Sequence, residues 1–289
     1  MLPPIVPDHR LSIEAIAALM PAYTRSRFDL RVVESTGSTN ADLMHDAASL
    51  PSGTVLATDC QTAGRGRRGR TWIAPAAGSL AFSVLWKFGG EVAALSGLSL
   101  AVGVAVARAL EHCGAAGVAL KWPNDLLAPQ EGGWAKLGGI LIELAAAGGG
   151  PAPSDDAVDA ANQVSAVIGI GLNLDLGAAA AGIDQPVTDL RSIGCAASRN
   201  ALLAAQLHQL GEVLPAFAAS GFAPFHAEWN QRHAWRGLRV QLLDSVAGAT
   251  SGTALDAAPD GALLVETTTG LRRIVSGDVS LRRASLSQS

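Results

Sequence analysis

Cysteine and long runs of like charge are scarce in this chain of 289 residues. Its three cysteines, Cys60, Cys113 and Cys195, lie far apart and form no Cys-x-x-Cys pair, which argues against a disulfide framework and against a zinc site. The net charge is −4, and no basic run is long enough to act as a nucleic-acid-binding arm. We therefore expect a protein of the reducing cytoplasm whose main activity is not sequence-independent binding of nucleic acid.

Targeting signals and histidine motifs are also lacking. Asp8, His9, Arg10 and Glu14 interrupt the apolar residues of the N-terminus, so no signal peptide or membrane span is predicted there. The six histidines are scattered without His-x-x-x-His spacing, and no Ser/His/Asp set is apparent. Hydrolytic-triad and metalloprotease chemistry have no support, and no membrane partner is expected.

Length and patterning predict an α+β protein with three segments. Residues 1–28 form an N-terminal extension with a short helix at 11–20, which is too little for a winged helix-turn-helix, so no DNA partner is expected. Residues 29–235 form the catalytic body. Residues 236–289 show short strands separated by turn signals, which predicts a small all-β module.

Hydrophobic periodicity predicts the elements of the body. Strands are predicted at residues 30–33, 55–58, 80–86, 118–121, 137–145 and 164–174. Helices are predicted at residues 40–50, 95–112, 200–219 and 222–233. The glycine-punctuated segment 61–72 is predicted to be a loop, and the Ala/Gly/Pro/Asp-rich segment 146–162 is interpreted as a flexible excursion.

The strongest chemical signal is the segment 64–70, Gly-Arg-Gly-Arg-Arg-Gly-Arg. Arginine presents a planar fork to phosphate oxygens and glycine lets the backbone approach a ligand, so this loop suits the α-phosphate of a nucleotide. It is not a Walker A loop, because no Gly-Lys-Ser/Thr follows. The alternative is a solvated Arg-Gly loop or an RNA-binding segment, although no aromatic side chains are interleaved with these arginines.

Two further motifs place polar groups beside apolar strands. In Lys-Trp-Pro-Asn-Asp at 121–125, Asn124 and Asp125 sit at a strand end and could orient Mg²⁺-nucleotide oxygens, or could form an ordinary turn beside a core tryptophan. In Lys-Leu-Gly-Gly at 136–139, the lysine either points into a pocket or lies at a strand edge with its amine in water.

Two weaker motifs accompany them. Ser38, Thr39 and Asn40 form a helix N-cap or bind a polar ligand. The glycine-rich strand 169–174 lacks the third glycine of a dinucleotide fingerprint. A cationic site without a nucleophile favours a reaction in which a substrate carboxylate attacks ATP itself.

Five segments in this order, at 37–40, 61–70, 121–125, 136–141 and 169–173, closely resemble the biotin protein ligases. The resemblance implies a mixed β-sheet flanked by helices, followed by a small C-terminal SH3-like β-barrel. It also implies ATP-dependent ligation of biotin to a lysine of a biotin carboxyl carrier protein through biotinyl-5′-AMP, in the monofunctional form without the N-terminal DNA-binding domain.

The resemblance also implies roles for individual residues. The catalytic residues would be Lys136 and Arg67, and Asp125 would lie next to Mg²⁺. The residues that would bind biotin are Ser38, Thr39, Asn40, Gln61, Arg65, Gly66, Arg67 and Lys136. The residues that would bind ATP are Arg67, Arg68, Asn124, Asp125, Lys136, Asn173 and Arg282.

Two positions depart from the family pattern: Gly138 stands where alanine is usual, and Asp189 stands where serine is common. Two alternatives stay open at this point. One is a lipoate- or octanoate-protein ligase of the same superfamily, and the other is a non-catalytic RNA-binding protein that uses the Arg-Gly loop.

Overall fold

The structure is a computed structural model that describes residues 10–145, 163–244, 248–275 and 279–283. The predicted excursion at 146–162 lies outside the described residues, so its interpretation stays a prediction.

A seven-stranded mixed sheet forms the body. Its strands are β1 Asp29–Thr36, β2 Thr54–Gln61, β3 Ser79–Gly89, β4 Ala119–Lys121, β5 Asp125–Gln130, β6 Gly133–Ala145 and β7 Gln163–Asn173. They lie in the order β1-β2-β3-β7-β6-β5-β4. Only β1 and β2 pair in parallel, and the other neighbours are antiparallel. The predicted α+β mixed sheet is confirmed.

Six α-helices accompany the sheet in the described part of the chain. They are α1 Ile13–Leu19, α2 Ala22–Arg25, α3 Thr39–Asp46, α4 Leu98–His112, α5 Arg199–Ser220 and α6 His226–Arg232. By length and composition, Val92–His112 is apolar enough to cross a membrane. Most side chains of α4 are nevertheless buried, and the helix packs on α5 and the sheet, so it serves as the core helix of the body.

A second, five-stranded antiparallel sheet follows at the C-terminus. Its strands are β8 Arg239–Asp244, β9 Gly248–Ala257, β10 Leu263–Thr267, β11 Gly270–Ile274 and β12 Val279–Arg283, in the order β11-β10-β9-β8-β12. The turns at 259–261 and 269–270 join β9 to β10 and β10 to β11. The predicted small SH3-like module is confirmed.

The sequence-based prediction missed one strand and misplaced several ends. Strand β5 was not predicted, because it is short, contains Pro129 and follows β4 after only three residues. Helix α3 ends at Asp46 rather than at residue 50. Helix α6 begins only at His226, because residues 223–225 form a separate 3₁₀ turn that contains Pro224.

The C-terminal module packs directly behind the Lys-Trp-Pro-Asn-Asp segment. The indole N–H of Trp122 donates to the carbonyl of Gly261 at 3.1 Å, and Trp122 is 1% exposed. A Cβ at Gly261 would lie 2.6 Å from Gly97 Cα, so only glycine allows this close approach. The Trp122–Pro123 peptide bond is cis. One motif of the candidate site is therefore supported by a turn of the second sheet.

His233 lies at this junction and predicts a pH dependence of stability. Its Nδ1 lies 3.1 Å from the Leu255 carbonyl, which can only accept, while Nε2 is buried without a partner among the described residues. Burial lowers the pKa of His233 to about 4 from 6.5. As pH falls from 6.5 towards 4, His233 therefore binds a proton in the unfolded chain but not in the folded chain.

We expect the free energy of unfolding to fall over this pH window by up to about 1.4 kcal/mol per pH unit from His233 alone. Replacing His233 with Gln removes the titrating group and should flatten the dependence, as measured by urea unfolding at a series of pH values. An equally steep dependence in His233→Gln would contradict this.

Gln206 on α5 gives a second stability prediction. Gln206 is 0% exposed, and neither the oxygen nor the nitrogen of its side-chain amide has a hydrogen-bond partner among the described residues. Because a buried amide without partners is costly, Gln206→Met should raise the free energy of unfolding by roughly 1–3 kcal/mol. Gln209→Met on the same helix, at a half-buried position, is the control and should change it less. A lower stability of Gln206→Met would count against this interpretation.

Candidate active site

Eleven of the residues predicted for the site line one cavity of about 140 Å³. They are Ser38, Thr39, Asn40, Gln61, Arg65, Gly66, Arg67, Arg68, Asn124, Asp125 and Lys136. Asn173 lines an adjoining cavity of about 760 Å³, which Asp125 and Lys136 also border. The backbone of Arg282 pairs with Gln241 in the C-terminal sheet, and its side chain lies outside the described residues. Its proposed contact with the nucleotide stays a prediction.

A chain of hydrogen-bonded polar side chains forms one wall of the smaller cavity. The Thr39 N–H donates to Gln61 Oε1 at 3.0 Å, and the Thr39 and Ser83 hydroxyl oxygens lie 2.7 Å apart. Ser83 in turn donates to Asn40 Oδ1 at 2.6 Å. Since the single Ser83 proton goes to Asn40, the Thr39 hydroxyl must donate to Ser83. The hydroxyl protons of Thr39 and Ser83 thus both have acceptors within the protein, which fixes the orientation of these side chains.

Asn40 holds helix α3 against strand β6. Its Nδ2 donates to the Leu141 carbonyl at 3.2 Å and to Glu143 Oε2 at 2.8 Å. A Cβ at Gly169 would lie 2.2 Å from Asn40 Oδ1, so glycine is required for this contact. Because its amide is engaged by protein, we interpret Asn40 as a residue that positions α3 beside the cavity. Ser38 caps α3 by accepting from the Ala41 N–H at 3.4 Å, as the N-cap interpretation predicts.

The Arg-Gly loop is closed as a small hairpin. The Gly66 N–H donates to the Arg70 carbonyl at 2.7 Å, and the Trp72 N–H donates to the Gly64 carbonyl at 2.9 Å. A Cβ at Gly64 would lie 2.6 Å from the Trp72 carbonyl oxygen, so this glycine lets the loop fold back on itself. The hairpin presents its arginines at the cavity.

Arg67 reaches across the cavity to the turn between β4 and β5. Its Nη1 donates to Asn124 Oδ1 at 3.4 Å. Asn124 is held in turn by β6, because its Nδ2 donates to the Ile140 carbonyl at 2.7 Å and its carbonyl accepts from the Ile140 N–H at 3.0 Å. Burial and the neighbouring Arg68 lower the pKa of Arg67. This guanidinium is therefore partly desolvated, which strengthens its attraction for an anion.

Asp125 is shared by two lysines. Lys136 Nζ lies 2.6 Å from Oδ1, and Lys121 Nζ lies 2.9 Å from Oδ2. Burial alone would raise the pKa of Asp125, but the ammonium groups of Lys136 and Lys121 outweigh it, so the pKa lies well below its usual value. The three side chains together carry one net positive charge beside the cavity.

This pairing disfavours Asp125 as a metal ligand. Both carboxylate oxygens are engaged by ammonium groups, which a metal ion would have to displace. In the part of the chain that the structure describes, no group of three or more His, Cys, Asp or Glu side chains could hold a metal ion. The predicted place of Asp125 next to Mg²⁺ stays a prediction.

Strand β6 places Lys136 between the two cavities. Trp134 and Lys136 border the larger cavity, whereas Gly139 and Leu141 line the smaller one, to which Lys136 also contributes. The pairing register with β5 shifts between Leu126 and Leu127, opposite Lys136 and Gly138. A ligand in the smaller cavity and a ligand in the larger one would therefore meet at the Lys136 ammonium group.

Asn173 supports Lys136 through the backbone. Its Nδ2 donates to the Lys136 carbonyl at 3.2 Å and to the Thr188 carbonyl at 3.0 Å, and the residue is 2% exposed. Asp189, one of the two departures from the family pattern, accepts from the Leu176 and Ser192 N–H groups at 2.9 and 2.8 Å. It stabilises the segment that follows Asn173.

Three residues at the site were not assigned a role from the sequence. Ser83 lies inside an apolar strand, and its partners Thr39 and Asn40 are more than forty positions away, so only a lone serine in that strand marked it. Trp72 directly follows the Arg-Gly loop and packs over β6 and β7. Lys121 was part of a quoted motif, but its partner Asp125 depends on the β4–β5 turn.

The glycines under Trp72 allow a matched test of this packing. A Cβ at Gly171 would lie 2.6 to 2.9 Å from atoms of the Trp72 indole, whereas one at the paired Gly139 would meet nothing closer than 3.5 Å. Gly171→Ala should therefore lower the free energy of unfolding by roughly 1–3 kcal/mol, while Gly139→Ala should not lower it. Equal effects in urea unfolding would contradict the packing described here.

Close packing of strands β6 and β7 explains the other departure from the family pattern, which is Gly138 in place of alanine. A Cβ at this position would lie 2.7 Å from the Gly171 carbonyl oxygen and 2.8 Å from Leu172 Cδ2. Strands β6 and β7 therefore leave no room for the usual alanine unless they shift.

Comparison with known proteins identifies the family. A model of the biotin/lipoate A/B protein ligase family matches residues 30–150, and one of the biotin protein ligase C-terminal domain matches residues 237–282. The bifunctional ligase/repressor BirA of Escherichia coli is 34% identical over 251 residues, which cover 86% of this chain and 72% of BirA. A biotin–[acetyl-CoA-carboxylase] ligase of Mycobacterium tuberculosis is 40% identical over 188 residues, 63% of this chain and 62% of that protein.

A solved structure gives the same answer. The biotin protein ligase from Aquifex aeolicus in complex with biotin and ATP is similar with a TM-score of 0.73 and 30% identity, over 89% of this chain and 99% of that one. The family models include the motifs at 37–40, 61–70, 121–125 and 136–141, whereas the motif at 169–173 lies between the two matched ranges. The chain belongs to the biotin/lipoate A/B protein ligase family.

Proposed function

We propose that this protein is an ATP-dependent biotin protein ligase that joins biotin to a lysine of a biotin carboxyl carrier protein. The observation that carries the proposal is the position of Lys136 where two cavities meet, with Arg67 lining the smaller of the two. A carboxylate bound on one side and a nucleotide phosphate on the other would meet at these cations. The family and the ligands of its solved relatives support this pair of substrates.

The reaction has two steps. In the first, the biotin carboxylate attacks the α-phosphorus of ATP, the bond to the bridging oxygen of the leaving group breaks, and biotinyl-5′-AMP and pyrophosphate form. In the second, the ε-amine of the carrier lysine attacks the acyl carbon, the bond between that carbon and the bridging oxygen of the anhydride breaks, and AMP leaves with that oxygen. An amide forms, and the lysine nitrogen loses a proton. No covalent intermediate on the protein is required.

The cations serve both steps. Lys136 would neutralise the carboxylate and the α-phosphate as they approach, and Arg67 and Arg68 would stabilise the charge that develops on the phosphorus oxygens. The Arg-Gly hairpin would also shield the mixed anhydride from water, since hydrolysis would waste it. ATP enters as its Mg²⁺ complex. Asn173 and Arg282 would border the nucleotide.

The polar wall favours biotin over lipoate. Gln61 and Thr39 line the smaller cavity, where the Gln61 amide and the Thr39 hydroxyl oxygen can hydrogen-bond to a cyclic urea, whereas an apolar dithiolane ring cannot form such bonds. Isothermal titration with biotin and with lipoate separates the two, and tighter binding of lipoate would favour the alternative ligase. We place the activity in the cytoplasm, because the three cysteines are free thiols and suit a reducing compartment.

Two variants test the roles of the cations. Lys136→Ala should reduce biotin-dependent exchange of pyrophosphate into ATP by at least roughly 100-fold, because the acyl phosphate loses its central cation. Arg67→Gly should instead release biotinyl-5′-AMP, detected as biotin on lysines of a bystander protein. Wild-type exchange in Lys136→Ala, or tight retention of the adenylate in Arg67→Gly, would contradict these roles.

A further inference from the structure

Lys121 is the most buried cation of the site and has no role in the reaction as described above. It ends strand β4, and its side chain is 10% exposed, against 16% for Lys136. The two lysines bind opposite oxygens of one carboxylate, Asp125, whose side chain is 13% exposed. The single negative charge of Asp125 is therefore paired with two ammonium groups, and all three side chains have little contact with water.

Lys121 has a second partner besides Asp125. Its Nζ lies 4.5 Å from the ring centroid of Trp235, within the range of a cation–π contact. Trp235 belongs to the segment that leads into the C-terminal sheet, and the preceding residue, Ala234, donates its N–H to the Leu120 carbonyl at 2.9 Å. The lysine at position 121 is thus fixed between Asp125 and the junction of the two sheets.

Lys121 is fixed in place, whereas the proposed reaction requires the ammonium group of Lys136 to move. To contact the acyl phosphate, its ammonium group must weaken or leave its 2.6 Å contact with Asp125. A buried carboxylate that loses its last cation is strongly destabilised, and this cost would hold Lys136 in place. Lys121 removes most of that cost, because Asp125 keeps one ammonium partner throughout.

We propose that Lys121 is a positioning residue: it holds the charge of Asp125 so that Lys136 is free to transfer to the acyl phosphate. Lys121 itself stays on Asp125 and acts only through it. The proposal rests on the proposed function, since it takes the ligand of Lys136 to be the acyl phosphate. The competing role is direct binding of nucleotide phosphate by Lys121, which borders both cavities.

A double-mutant cycle separates these two roles. We expect Lys121→Met to lower kcat of biotin-dependent pyrophosphate exchange on the order of 10- to 100-fold, with KM for ATP changed less than about threefold. Lys136 is then the last cation on Asp125 and is held there. In Lys121→Met/Asp125→Asn that restraint is gone, so kcat should rise at least about fivefold above Lys121→Met and approach Asp125→Asn. Lys121→Arg should retain most activity.

Direct phosphate binding predicts a different pattern. The losses from Lys121→Met and Asp125→Asn would then add, KM for ATP would rise, and the double variant would be no better than Lys121→Met. That result overturns the proposal. A wild-type protein without biotin-dependent exchange would instead refute the proposed function, so the two failures are distinguishable.

A second variant covers the case in which Lys121→Met does not fold. Trp235→Leu removes the ring beside Lys121 and leaves all three charges in place, with Trp235→Phe as the matched control. We expect a smaller fall of kcat in Trp235→Leu than in Lys121→Met, with KM for ATP unchanged, and near-normal kcat in Trp235→Phe. An unchanged kcat in Trp235→Leu, or a fall confined to KM, contradicts the proposal.

Discussion

The site depends on the shared charge between one buried carboxylate and two lysines. Asp125 holds the side chains of Lys121 and Lys136 close together where water is scarce, and the three groups carry one net positive charge. Arg67 lines the same cavity, and its guanidinium is itself partly desolvated. An acidic chain with a net charge of −4 thereby creates a local cationic site for a phosphate.

The fold supplies the distances that this charge arrangement needs. The turn between β4 and β5 brings Lys121 and Asp125 together, and β6 delivers Lys136 to the same carboxylate. The indole N–H of Trp122 connects that turn to the C-terminal module by a hydrogen bond to the Gly261 carbonyl. The second sheet therefore supports the turn that carries Lys121 and Asp125.

Much of the site could be predicted from the sequence because charges in apolar surroundings are conspicuous. Lys136 beside two glycines and the arginines of the 64–70 segment stood out in this way, and they line the same cavity. Ser83 could not be found, because its partners lie on another element and a single serine is ordinary in a strand. The pairing of Lys121 with Asp125 was equally hidden, since it arises from a hairpin whose second strand was not predicted.

The fold was predictable to a similar extent. Long periodic elements such as α4 and α5 were placed within a few residues, because their patterns extend over several turns. Strand β5 and the short helix α2 were missed, because short elements are fixed by their tertiary partners rather than by local sequence. The domain limits and the roles of Asn173 and Arg282 stay predictions.

The most direct measurement is a crystal structure of the protein with a non-hydrolysable analogue of biotinyl-5′-AMP. The account predicts that Lys136 Nζ lies within hydrogen-bonding distance of the acyl-phosphate oxygens, with Lys121 still paired with Asp125 and Arg67 facing the phosphorus group. An analogue whose phosphate binds away from Lys136 and Arg67 would contradict it.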